Sequence, residues 1–128
     1  MHRQAQEVLP ALLDKLGVDA TETPLWLLGQ SDGASIALLY AAHFASHPRR
    51  RPPGVVAMAP HILVEPLSLA SIRETRDAYL GTDLRDRLAR HHDDVDSTFY
   101  GWNNAWLSPG FPEWQITLEL KHIAAPIL

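Results

Sequence analysis

Two short apolar runs, LWLL at residues 25–28 and GVVAMA at residues 54–59, constrain this chain more than anything else in it. Pro24 and Gly29 bound the first, and Pro60 ends the second. Short apolar runs closed by turn formers read as strands of a parallel sheet, buried on both faces. Between them, residues 34–46 are alanine-rich, with Ile36, Leu39, Tyr40 and Phe44 as the large apolar side chains, and read as a buried helix. Ahead of the first run, residues 5–16 place Val8, Ala11, Leu12 and Leu16 at helical spacing, with Gly17 as the stop. Pro10 marks either the true start of that helix or a kink in it. Helix, strand, helix, strand is the alternation of an α/β fold with a parallel sheet.

After Pro60 the pattern changes. Residues 67–79, 83–91 and 95–107 read as helices with no strand between them, which is the pattern of a helical insertion. Pro126-Ile127-Leu128 reads as the first residues of a new strand. The expected organisation is therefore a core over residues 1–63, a helical segment over 64–122, and the start of a returning core strand over 123–128.

The junction after the first strand, Gly29-Gln30-Ser31-Asp32-Gly33, carries the chemistry. A Gly-x-Ser-x-Gly motif between a strand and a helix puts the serine at a sharp, strained turn with its hydroxyl held outward. The paired glycines are expected to remove side chains that would collide in so tight a turn. The helix that follows presents free N–H groups and a partial positive charge to the serine, and the N–H of Asp32 is placed to donate to an oxyanion.

Composition removes several other chemistries. The net charge of −4 argues against a polyanion-binding face, so no nucleic acid partner is expected. The chain has no cysteine, which excludes disulfides, thiolate catalysis and Cys-based zinc sites. No apolar run is long enough to cross a membrane, so no membrane partner is expected, and MHRQAQEV lacks the apolar core of a signal peptide. A cytoplasmic location is the expectation.

The segment LLGQSDGASIALLYAAHF resembles the nucleophile elbow of α/β-hydrolases that carry Gly-x-Ser-Asp-Gly. VVAMAPHILVE, Phe99-Tyr100-Gly101-Trp102-Asn103, Trp106-Leu107, Trp114 and Ile123-Ala124-Ala125-Pro126-Ile127-Leu128 are similar to the second core strand, the cap and the return to the core. The likeness is to serine hydrolases related to valacyclovir hydrolase, the proline-iminopeptidase-like enzymes and the C–C-bond hydrolases. It implies a partial α/β-hydrolase fold, with parallel core strands, flanking helices and a helical cap. It also implies hydrolysis of an ester, amide or related acyl bond in a small-molecule substrate, with no cofactor and no metal. Ser31 would be the nucleophile and the Asp32 N–H part of the oxyanion hole.

The departures from the family pattern are specific. The strands and oxyanion-hole loop that normally precede the first helix are absent. The triad order is serine, acid, histidine, which puts the acid just after the strand beginning at Pro126 and the histidine farther on. The chain therefore looks like an internal fragment, expected to be inactive alone because the triad acid and histidine are missing. The alternative is a truncated non-catalytic remnant or small-molecule binding module. Two parallel strands and a third just begun would also leave open edges and exposed apolar surface.

Other residues carry weaker signals. Gln30, His61, Trp102 and Trp106 are the substrate-pocket candidates. His61 leaves the carboxyl end of a core strand, where open α/β sheets place their sites, and either lines the pocket or is hydrogen-bonded beneath the cap. Phe99, Trp102 and Trp106 share helical spacing and form either the packed core of the cap or an acyl pocket. Asp32 either caps its helix or binds a cationic substrate group, and Glu65 can add to the same acidic rim. His43 and His47 lack the glutamate of an HExxH motif. Residues 91–94, HHDD, read as a helix end followed by an aspartate cap, and residues 49–51 as a solvated arginine loop.

Overall fold

The computed structural model describes residues 1–128 and divides them into two compact units. The first comprises Met1–Ile62 and Ile116–Leu128; the second, Leu63–Gln115, is inserted between them. The class is mixed α/β: helices accompany a small parallel sheet. The chain returns to the first unit at Ile116, earlier than the boundary at residue 123 expected from the sequence. The fully buried Ile116 donates its N–H to the Ile62 carbonyl at 2.8 Å, and the single 3-10 turn Glu119–His122 packs on the helix that follows the first strand.

The first unit opens with a π turn, Gln4–Val8, that runs into α1, Leu9–Lys15. Pro10 stands in the first turn of α1, where its missing N–H costs least. The register before it widens, the Leu9 N–H reaching back to the Gln4 carbonyl, so the helical path passes the proline without a break. Strand β1, Leu27–Gln30, leads through Ser31 into α2, Asp32–His43, and the chain returns as β2, Val55–Met58. β1 and β2 are parallel, with Leu27 opposite Val55 and Gln30 opposite Met58. On the other flank of β2, Ile127 forms a parallel bridge with Val55. The Val55 N–H donates to the Pro126 carbonyl at 3.0 Å and the Leu128 N–H to the Val55 carbonyl at 2.9 Å.

Helix α2 packs on both strands and buries Ala34, Ser35, Ala37, Leu38, Leu39, Tyr40 and Ala41, as a helix apolar on nearly all sides must. The sheet is covered less completely than the sequence implies. β1 alternates rather than being buried throughout: Leu27 and Gly29 face inward, whereas Leu28 is 70% exposed. Leu28 and Gln30 share a face with Val56 and Met58, their partners in register, and Met58 is also exposed. Gly54, just before β2, has no room for a side chain, since a Cβ there would meet the Trp26 ring.

The arginine loop is pinned rather than free. Arg49 pairs with Asp19 at 2.7 Å, and Arg50 holds both carboxylate oxygens of Asp14 at 2.8 Å while lying over the Phe44 ring. The Thr21 N–H and hydroxyl, then the Arg49 guanidinium, hold the Asp19 carboxyl down to about 2.

The second unit contains α3 (Pro66–Gly81), α4 (Leu84–Ala89) and α5 (Val95–Trp106), followed by a 3-10 turn at Phe111–Glu113. An antiparallel bridge between Leu63 and Gln115 closes its two ends. Its buried residues include Leu69, Ile72 and Trp106 and a cluster of Tyr79, Val95 and Phe99, in which the two rings are stacked with centroids 3.7 Å apart. Asp94 caps α5 by accepting from the Ser97 N–H at 2.9 Å.

Candidate active site

Ser31 is the hinge between β1 and α2, with φ 53° and ψ −125°, a conformation that side-chain-bearing residues rarely adopt. Its N–H extends the sheet by one step, donating to the Met58 carbonyl at 2.9 Å. Its carbonyl accepts from the Ala34 N–H at 3.0 Å and the Ser35 N–H at 3.2 Å, which starts the helix. Fixed at both ends by backbone bonds, the residue turns its side chain outward and is exposed. The Asp32 N–H lies in the first turn of α2, where amide hydrogens have no intrahelical acceptor and the helix dipole favours negative charge.

Of the two motif glycines, only one is required by packing. A Cβ on Gly29 would lie 2.3 Å from the Gly33 carbonyl oxygen, whereas a Cβ on Gly33 would meet nothing within 4 Å. The expected collision therefore exists on the strand side of the serine and not on the helix side. The sheet has a second strained residue at the corresponding end of β2: Ala59 has φ 46° and is followed by Pro60 and His61.

His61 comes back to the serine. Its Nε2 is 3.2 Å from Ser31 Oγ. Its backbone is clamped by Ser35, one turn into α2: the Ser35 hydroxyl donates to the His61 carbonyl at 2.7 Å and accepts from the His61 N–H at 3.0 Å. Ser35 is fully buried, and no motif pointed to it. No sequence signal marked it out: the helix also carries Tyr40, and a hydroxyl on α2 does not say which backbone it will meet.

The remaining candidates separate by unit. Gln30 ends β1 beside Ser31 and is exposed, and Asp32 is half-buried at the start of α2. Trp102, Trp106 and Glu65 belong to the second unit. There Trp106 is 2% exposed and packed on Phe111, a core position rather than a pocket wall. The buried stripe of α5 is Val95, Phe99, Asn103 and Trp106, so the expected aromatic face loses Trp102 and gains an asparagine. Trp102 instead borders a cavity of about 310 Å³ within that unit, shared with Leu84, Leu88, Val95 and Phe99. His43 and His47 flank the Phe44 ring edge-on. No helix is long and apolar enough to cross a membrane. No protein-family model, curated protein or solved structure matches this chain.

Proposed function

We propose that this chain is a serine hydrolase of the α/β-hydrolase type, built on a partial α/β-hydrolase core with the helical second unit as its cap and working in the cytoplasm. It acts on an ester, amide or related acyl bond of a small-molecule substrate. One observation carries the reading: Ser31 sits in a strained conformation between a parallel strand and a helix, its hydroxyl outward and Gly29 and Gly33 in backbone contact beneath it. Ordinary βα turns need no such strain, and strained residues gather where a side chain must be aimed.

In this reading Ser31 Oγ attacks the acyl carbon while its proton passes to a histidine. The oxyanion forms against the Asp32 N–H at the positive end of α2. Loss of the leaving group gives an acyl-serine, which water hydrolyses. Gln30 and His61, at the carboxyl ends of the two strands, border the substrate.

The test is a fluorophosphonate probe on the whole chain, read by intact mass. Stoichiometric labelling that maps to Ser31 and disappears in Ser31→Ala supports the hydrolase. A folded wild-type chain that takes up no probe overturns it and leaves a binding module.

A further inference from the structure

Resting on the hydrolase reading, we propose that His61 is the proton acceptor for Ser31 and that Ser35 is the residue that positions it. The family likeness places the triad histidine after the strand at Pro126. Within this chain, the imidazole hydrogen-bonded to Ser31 Oγ is that of His61, at 3.2 Å. Nucleophile and base within such reach, with the base held by a third group, is the arrangement that activates a serine.

The third group here acts on the backbone. Ser35 Oγ takes both the N–H and the carbonyl of His61, at 3.0 and 2.7 Å, and is itself fully buried on α2. Because α2 begins at Ser31, one rigid helix sets both the nucleophile and the register of the base. The loop from β2 is held again one residue on, where the Ile62 carbonyl accepts from the Ile116 N–H at 2.8 Å, and Ser35 fixes it at His61 itself.

The chemistry balances within these groups. With its hydrogen on Nδ1, His61 presents the Nε2 lone pair to the hydroxyl. Oγ forms a bond to the acyl carbon as its proton moves to Nε2. The imidazolium then returns that proton to the leaving group as the scissile bond breaks. Water repeats the sequence: its proton goes to Nε2, its oxygen to the acyl carbon, and Oγ departs with the proton from Nε2. With a fluorophosphonate, Oγ bonds to phosphorus, fluoride leaves, and the proton stays on Nε2.

Labelling rates of the full chain by that probe test the assignment, with circular dichroism showing that each variant is folded. His61→Ala and His61→Gln are both expected to label about 100-fold or more slowly, the usual size of a general-base contribution. Added imidazole restores the rate in His61→Ala. Ser35→Ala is also slow, and Ser35→Ala/His61→Ala is no slower than His61→Ala alone, because Ser35 acts through His61; a merely structural role would make the losses add. The assignment is overturned if His61→Ala labels at nearly the wild-type rate, if imidazole does not rescue it, or if His61→Gln, which keeps a hydrogen-bonding group but no basic nitrogen, stays fast. In each of those cases Ser31 still labels in the wild type and the hydrolase reading stands. Absence of labelling in the wild type removes both.

Discussion

Gly29 and Gly33 meet through bare backbone: a methyl on Gly29 would stand 2.3 Å from the Gly33 carbonyl oxygen. The strand into Ser31 and the helix out of it are therefore closer than side chains allow. Gly29→Ala must push backbone against backbone and is expected to cost at least the usual overpacking penalty of about 1–3 kcal/mol. Gly33→Ala, in open space on a helix, is expected to be neutral or to stabilise by up to about 1 kcal/mol. Urea unfolding of the two variants checks this, and equal losses would contradict it.

The strain at Ser31 makes a second prediction. Glycine tolerates φ 53°, ψ −125° where alanine does not. Ser31→Gly is expected to be more stable than Ser31→Ala by about 1 kcal/mol, the released strain less the added flexibility of the unfolded chain. Both variants lose probe labelling, so any gain in melting temperature comes without activity.

Acid is expected to act on the second unit through Asp96. The Arg85 guanidinium, at 2.6 and 3.0 Å, and then the Tyr79 hydroxyl, at 2.7 Å, hold its carboxyl down to about 2 from an ordinary 3.8. A depressed folded value means that the ionised group stabilises the fold above about pH 4 and that the contribution is lost as pH falls toward 2. Tyr79 has the opposite sign: burial first, and then Asp96, push its hydroxyl up to about 12. That stabilisation is present below pH 10, the ordinary value, and is lost as pH rises toward 12. Asp96→Asn should flatten the acid limb of a stability–pH curve, and salt should weaken the effect because Asp96 and Arg85 are about half exposed.

Asn103 ties α5 to α3. Its Nδ2 donates to the Ile72 carbonyl at 3.1 Å from a fully buried position. Asn103→Ala removes that bond while the Ile72 carbonyl keeps its place in the hydrogen bonding of α3, and is expected to cost about 0.5–1.5 kcal/mol. Loss of the Tyr79–Phe99 near-ultraviolet signal at lower denaturant would show it.

The uncovered sheet face carries the last prediction. Leu28→Thr replaces an exposed apolar side chain with one suited to a strand, so stability is expected to stay within about 0.5 kcal/mol. Binding of an apolar dye and aggregation on standing should both fall, since Leu28 and Met58 share that face.

The elements of the first unit were legible because local chemistry and tertiary need agree there. Pro24 stands ahead of β1, which runs on through Gly29, the expected stop, to Gln30, and the run of alanine and leucine after Ser31 has nowhere to go but against a sheet. Burial was less legible: an apolar run says what a strand tolerates, and Leu28 shows that it does not say what covers it. The Ser31 turn could be read from its motif, but the separate needs of Gly29 and Gly33 could not, because they depend on an approach in space. His61 stood out only as a residue at a strand end. Its distance to Ser31 rests on the positive φ of Ala59 and the clamp of Ser35, neither of which has a sequence signature. On α5, spacing alone does not separate Trp102 from Asn103, adjacent residues at the edge of one stripe, and the Ile72 carbonyl decides between them.

Because Leu63–Gln115 interrupts the unit that holds the sheet, β2 leaves the ribosome long before the segment that flanks it at Ile127. At ordinary elongation rates the delay is on the order of several seconds. Throughout it, the backbone of Val55 and Ala57 on that side has only water or a foreign strand to bond. The nascent chain thus carries a sticky seam whose closing time is set by how fast the inserted helices are translated, and slowing translation across them should raise the share of protein lost to misassembly.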